Sequence, residues 1–490
     1  MVLKMEEKVS RRGYLKYAGA GVVVVAAAGA GAYYATRPGP AATTTTSEQT
    51  QEEKATIRIL CHDYDVAPLL ANQVAQAYNE YTNGRVTVSV DQFPYETLHE
   101  KIIVEMSAGS REYDMIVTDG EWAAELYANN WIRSLSELKR QDSSLPDIMW
   151  DNYIPEVGDP ETGFVCTPHF KNALAVAKVD VPGYDYWGIP LSHGAQSFTY
   201  RKDLYEKYGV DKVPTNWDEY LEAAKKLTRP EDDLYGAEML MGSSTIGFNE
   251  FSFRMAGMGP SPKAPNMTKA NFGYFFDDNL MPIFNDDRGY RALEHMKNLL
   301  PYCPPGTLGM DWPDLQLYRE GKIGQVVVWW DCFPGIEVPE MSKVAGLSGY
   351  APIPYDKELH EWAGGFSMWI TRFSQKPTES YKFMAWMSEG EAYNIIEDQG
   401  VDVGSGLFPV MKHHVSDPGL RAKLPQLNLW DQITGKLVNY PIYLPELPEI
   451  YQITWEEFSK CLKDEKTIQG SLDDAADRIY NLLKEHGRYE

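Results

Sequence analysis

GIPLSHGAQSFTYRKDLYEKYGVDKVPTNWDEYLEAAKKL, residues 188–227, is the stretch around which the chain is organised. Ile189 to Leu191 is a short apolar strand that runs into the polar turn Ser192-His193-Gly194, and Ser197 to Tyr200 is a second strand. Trp217, Tyr220, Leu221, Ala224 and Leu227 then recur at the spacing of one helix face. Thr215 and Asn216 are the N-cap candidates, Asp218 and Glu219 fill the first turn, and Pro230 stops the helix.

Towards the N-terminus the pattern is strand-helix-strand-helix-strand. Thr56 to Cys61 is a strand, Pro68 to Tyr81 a helix ending at Asn83-Gly84, Val86 to Val90 an alternating strand, Tyr95 to Ser107 a helix, and Tyr113 to Thr118 a strand. Such alternation predicts an α/β fold with a mostly parallel, doubly wound sheet whose ligands lie beyond the carboxyl ends of the strands. That rim carries His62-Asp63-Tyr64, Gln92-Phe93-Pro94-Tyr95 and Asp119-Gly120-Glu121-Trp122. Residues 141–186 hold five prolines and little periodicity and read as loops and short helices, longer than a simple connection requires.

The first forty residues read as a targeting segment. Ser10-Arg11-Arg12-Gly13-Tyr14-Leu15-Lys16 fits the twin-arginine export pattern, and Ala18 to Ala35 is uncharged. The segment is a signal or an N-terminal membrane anchor, and the polar, Thr-rich residues 41–55 are its linker. With a formal net charge of −24 the chain offers nothing to nucleic acid. Cys61, Cys166, Cys303, Cys332 and Cys461 contain no C-x-x-C pair, and a Cys303–Cys332 disulfide is a pairing that export would permit.

Beyond residue 227, Phe248 to Met255 is a helix, Phe272 to Phe284 a small β segment, Arg288 to Leu300 a helix and Ile323 to Trp329 a strand. Trp362-Ala363-Gly364-Gly365-Phe366-Ser367-Met368-Trp369-Ile370 follows, then Lys376-Pro377 and the helix Ser380 to Met387, and the chain closes with the helix Leu472 to Leu483. I-P…Y-R-K-D-L-Y-E-K-Y-G-V…V-P-T-N-W-D-E, Y-D-M-I-V-T-D-G-E-W and G-G-F-S-M-W-I, in that order, resemble segments of family 1 extracellular solute-binding proteins, the maltose-binding-like group. Asn129-Asn130 departs from that pattern, standing where the family usually has a glycine. The resemblance implies two α/β lobes with a hinge and an interlobe cleft. Their expected limits are 56–188 with 323–362, and 189–322 with 363–490. It further implies an exported, monomeric, cofactor-free binding protein. Such a protein captures a neutral carbohydrate and delivers it to the transmembrane subunits of an ABC transporter, without catalysis of its own.

A sugar shows a site apolar C–H faces and hydroxyl groups, so aromatic rings and hydrogen-bonding side chains are what it needs. Thirteen Trp and 31 Tyr are too many for one site, and position must choose among them. Trp122, Trp329, Trp330 and Trp362 fall at strand ends or crossings; Asp119, Glu121 and Asp331 stand beside them; His193 and Gly365 lie in the crossings; Tyr64 and Phe93 are on the rim. Phe248 is taken from the second-lobe helix, and Tyr443 and Tyr451 from the region where the resemblance implies another aromatic. Each reads equally well as a core or turn residue. Trp329 and Trp330 would point to opposite faces of one strand, so only one of them is expected to touch ligand. An exported enzyme is the alternative, but G-x-G-x-x-G, the P-loop and H-E-x-x-H are absent, and His413-His414 are adjacent rather than on one helix face. A glycosidase's paired carboxylates leave no spacing to read, and a non-sugar solute stays open.

Overall fold

The structure, a computed structural model, describes residues 54–63, 66–158, 185–263, 274–277, 279–311, 316–329, 334–402, 409–439 and 444–489. The export motif, the uncharged run and most of the linker lie outside them. Among the described residues no helix is long and apolar enough to cross a membrane.

Among the described residues ten strands form two sheets. They are β1 (Ala55–His62), β2 (Val86–Phe93), β3 (Met115–Asp119), β4 (Gly188–Pro190), β5 (Gly194–Arg201), β6 (Gln325–Trp329), β7 (Ser348–Ala351), β8 (Glu361–Gly364), β9 (Phe366–Ile370) and β10 (Leu437–Asn439). The first sheet has the order β2-β1-β3-β9-β4, and the second β10-β8-β5-β6 with β7 also paired to β5. β1, β2 and β3 are parallel as their helical connections require. β9 pairs antiparallel with β3 and β4 antiparallel with β9, and the second sheet is antiparallel except where β10 meets β8.

The expected apportioning of the chain between sheets is corrected here. The segment 323–362 was expected to return to the first lobe, but β6 runs antiparallel to β5 in the second sheet, with Gln196 opposite Trp329. The segment after 363 was expected to stay in the second lobe, yet β9 lies between β3 and β4 in the first sheet. Helices Pro377–Ser388 and Glu391–Asp402 pack on that first sheet and its helices. Ile154 donates to the Val410 carbonyl at 2.8 Å before the chain reaches β10, so it passes between the sheets a third time. The strand pattern alone does not distinguish these pairings, because an apolar strand suits either sheet.

Local readings fare better. Helix Trp217–Leu227 is capped by Asn216, whose side chain accepts from the Glu219 amide, while Glu219 accepts in return from Thr215. Its buried residues are Trp217, Tyr220, Ala223, Ala224 and Leu227. Residues 67–81 are helical with a π turn at Leu70–Val74, and Asn83 and Gly84 take the positive φ values that end the helix. Cys303 is a buried free thiol, and its weighed partner Cys332 lies outside the described residues.

The first two crossings run side by side as a narrow ribbon. Leu191 and Ser192 both donate to the Phe366 carbonyl, at 2.8 and 3.1 Å, and the Phe366 amide donates to Ser192 Oγ at 3.1 Å. Gly365 has φ +150°, and a Cβ there would sit 2.2 Å from the Ser192 carbonyl oxygen. Only glycine fits both demands. Gly365→Ala should therefore lower stability by about 2 kcal/mol or more in denaturant unfolding, and an unchanged midpoint would contradict the ribbon geometry. His193, fully buried, shares a hydrogen bond through Nδ1 with the Gly364 carbonyl at 3.2 Å. Burial pushes its pKa down to about 4, opposed by the Glu156 charge and by the Gly364 carbonyl. The unfolded chain takes up this proton near pH 6.5 while the folded one resists until about 4, so stability is lost as pH falls across that window. His193→Gln should flatten the fall by up to about 1.4 kcal/mol per pH unit, whereas parallel stability curves for variant and parent would refute the assignment.

Candidate functional site

The parallel run of β1, β2 and β3 brings His62, Phe93 and Asp119 to one edge. β9 starts there too, because Asp119 pairs with Phe366, and the Gly120 amide donates to the Gly365 carbonyl at 2.8 Å. Both ribbon strands therefore leave the first sheet where its strand ends converge, and this edge is the candidate site.

Its centre is an aromatic group. Tyr95, the first residue of helix Tyr95–Ser107, stacks on Trp122 with centroids 5.1 Å apart and meets the edge of Phe366 at 6.4 Å. The Tyr95 hydroxyl donates to Asp119 Oδ2 at 3.3 Å. His99 lies one helical turn beyond Tyr95, so its ring flanks Trp122 at 4.8 Å while Nε2 meets Glu125 Oε2 at 2.7 Å. Trp122 is thereby held between two rings and is only 7% exposed, which leaves the half-buried Tyr95 and Asp119 as the more accessible members. His62 stacks on Phe366 at 4.1 Å and is fully buried, and burial pushes its pKa down to about 3, so it stands neutral. The group presents an aromatic surface and a carboxylate acceptor side by side.

The other wall belongs to the second sheet. Trp329, at the end of β6, is 7% exposed, and a Cβ on Gly194 would lie 3.3 Å from its ring, so it packs against the ribbon. Its strand partner Gln196 and the helix residue Asn249 lie beside it around a small recess.

The sequence-selected residues thus divide. Trp122, Asp119 and Gly365 come together, and Trp329 stands across the ribbon from them. Phe93 is half-buried nearby, under the Lys101 ammonium at 5.6 Å from its ring. His193 is a fully buried tie within the ribbon. Phe248 and Tyr451 are corrected: their rings pack on each other at 4.4 Å inside the second-lobe core, exposed by 0% and 2%. Tyr64, Trp330, Asp331 and Tyr443, with the side chains of Glu121 and Trp362, lie outside the described residues. Tyr95 was not selected, although its position after Pro94 at the end of β2 was the signal that could have found it. Among the described residues no three His, Cys, Asp or Glu side chains are placed to hold a metal ion.

Comparison with known proteins bears on the family and the fold. The profile of the bacterial extracellular solute-binding protein family matches residues 68–393. A Brucella abortus protein, named only as a candidate binding protein, is 24% identical over 164 residues, 34% of this chain and 33% of its own. The chain thus spans about a third of the length of the curated relatives it matches. Among solved structures, an ABC transporter solute-binding protein of Agrobacterium radiobacter K84 in complex with ribitol superposes with a TM-score of 0.72 at 22% identity, covering 88% of this chain and 99% of that one. A maltose-bound T. maritima protein gives 0.70 at 17%, covering 87% and 100%, and an Agrobacterium vitis S4 protein with bound D-mannitol gives 0.69 at 19%, covering 88% and 99%. At these identities the likeness is one of fold, and the fold is two-lobed. The profile match spans more than half of the 490 residues, and on that basis the chain belongs to the bacterial extracellular solute-binding protein family.

Proposed function

We propose that the protein captures a neutral, hydroxyl-rich solute, a sugar, oligosaccharide or sugar alcohol, between its two sheets and delivers it to the membrane subunits of an ABC transporter. The observation that carries this reading is the Tyr95–Trp122 stack with Asp119 at the edge where the ribbon leaves the first sheet. A sugar ring lays its C–H face on an aromatic surface and donates hydroxyl hydrogens to a carboxylate, and this group offers both at once. The similar proteins that hold ribitol, maltose and D-mannitol support the same ligand class. Phe366 links site and ribbon, so a solute that bridged the sheets would draw them together by hinge closure. We read the chain as a binding protein rather than an enzyme. We also read it as an exported monomer, held at the membrane by the uncharged N-terminal segment or released from it.

A panel of sugars and sugar alcohols should contain a compound that raises the thermal midpoint, since a ligand of the folded state stabilises by mass action. If no member shifts the midpoint, the carbohydrate reading is wrong. For a compound that does, Tyr95→Ala should weaken calorimetric affinity about 10- to 100-fold, on the order of 1–3 kcal/mol for a lost stacked ring. Tyr95→Phe should keep most of it. Equal affinities for parent and both folded variants would remove this edge from the site. Small-angle scattering should show compaction on saturation, and no change in dimensions would rule out closure.

A further inference from the structure

The recess beside Trp329 carries a more specific inference, one that rests on the solute-binding reading above. Helix Ser244–Ala256 sets Ile246, Asn249, Glu250 and Phe253 on one face, at the spacing of successive turns, against β6. Between that face, Val327, Trp329 and Gln196 is a space of about 10 Å³, room for one group the size of water or a hydroxyl. The recess lies at the ribbon end of the second sheet, because Gln196 pairs with Trp329 only two residues from the Gly194–Gly364 pairing.

Its polar lining is unbalanced. Glu250 is fully engaged, with Oε1 accepting from the Leu240 amide at 2.9 Å and Oε2 from Arg254 at 2.7 Å. Gln196 Oε1 and Asn249 Oδ1 belong to side chains of residues 2% and 4% exposed, and neither has a hydrogen-bond partner among the described residues. Two buried carbonyl oxygens beside one hydroxyl-sized space call for a donor. A carboxylate or phosphate oxygen brings none. An ammonium gains no net charge to pair with, because Arg254 already neutralises Glu250. A hydroxyl donates its one hydrogen to one carbonyl and accepts from the other amide when that amide turns its NH2 group to the recess.

We propose that this recess is the subsite for a single hydroxyl group of the bound sugar or sugar alcohol, with Gln196 and Asn249 as its specificity-determining residues. The first-lobe stack supplies surface for a ring or carbon chain, and the recess reads one position on it. A solute lacking that hydroxyl leaves both buried amides without the partner it supplies, so discrimination at this position is steep while other positions are tolerated.

The test uses the full chain with maltose, D-mannitol, ribitol and D-tagatose, each titrated calorimetrically. For a binder, its series of monodeoxy analogues is titrated against the parent, Gln196→Met and Asn249→Leu, with folding checked by thermal unfolding. One deoxy position should weaken binding to the parent by at least about 10-fold, and the penalty should shrink to about 3-fold or less in either variant. Penalties at the other positions should be unchanged. Should one variant not fold, the other carries the comparison. A parent protein indifferent to every deoxy position overturns the proposal without any variant. Penalties that persist unchanged in the folded variants overturn it too, and mean that the recess holds a structural water. If none of the four compounds binds the parent, it is the carbohydrate reading that fails, and the subsite falls with it.

Discussion

The contact of Gly365 with Ser192 is the constraint on which the rest of the molecule depends. At this point two chain segments, nearly two hundred residues apart in sequence, pass from one sheet to the other at backbone-to-backbone distance. A side chain on residue 365 would occupy the place of the Ser192 carbonyl oxygen. Because the approach is so close, the Phe366 carbonyl receives two amides from the neighbouring strand and the Ser192 hydroxyl satisfies Phe366 in return. The ribbon keeps its backbone groups paired although it belongs to neither sheet, as buried polar backbone demands. His193 adds a side-chain tie to Gly364, held neutral by burial.

From that ribbon the site follows. β9 starts at Phe366 and lies antiparallel to β3, so the Phe366 ring arrives among the carboxyl ends of the parallel strands. There it meets His62 and Tyr95, and Tyr95 in turn stacks on Trp122. On the opposite side Trp329 rests against Gly194. Both walls are therefore braced on the same few backbone atoms. Small rotations about the ribbon would move one wall relative to the other while leaving each intact.

The second lobe uses burial differently. Helix Ser244–Ala256 is buried nearly all round, polar residues included. Arg254 reaches Glu250 one turn back and lies over the rings of Trp217 and Phe253, at 4.9 and 4.8 Å, with His295 accepting from its Nε at 3.0 Å. Burial pushes the Glu250 carboxyl up, against the pull of Arg254. The ion pair meets its own needs inside the core, whereas the side-chain oxygens of Gln196 and Asn249 beside it have no partner among the described residues.

Much of this was legible along the chain. Caps, periodicity and turns located helix Trp217–Leu227, helix Tyr95–Ser107 and the strands β1 to β3 within three residues, because those signals are local. The G-G-F-S crossing was also legible, since a glycine demand of this kind leaves its mark at one position. Three things were not. β6 and β9 exchange the sheets expected of them, because strands buried at every position carry no address and suit either sheet. Phe248 and Tyr451 look as exposed in sequence as Tyr95, yet they pack on each other while Tyr95 stays at the edge. Glu250 and Arg254 form an ion pair inside the core, and a spacing of four along a helix does not by itself say whether such a pair is buried. The sequence by itself determined the strands β1 to β3, the helices Tyr95–Ser107 and Trp217–Leu227 and the crossing glycine, whose causes lie within a few residues. The β segment expected over Phe272 to Phe284 reduces, among the described residues, to the isolated bridge of Phe276 with Pro282. The tertiary structure decided strand partners, buried charge and which aromatics reach the strand-end edge, because these depend on atoms brought together from distant parts of the chain.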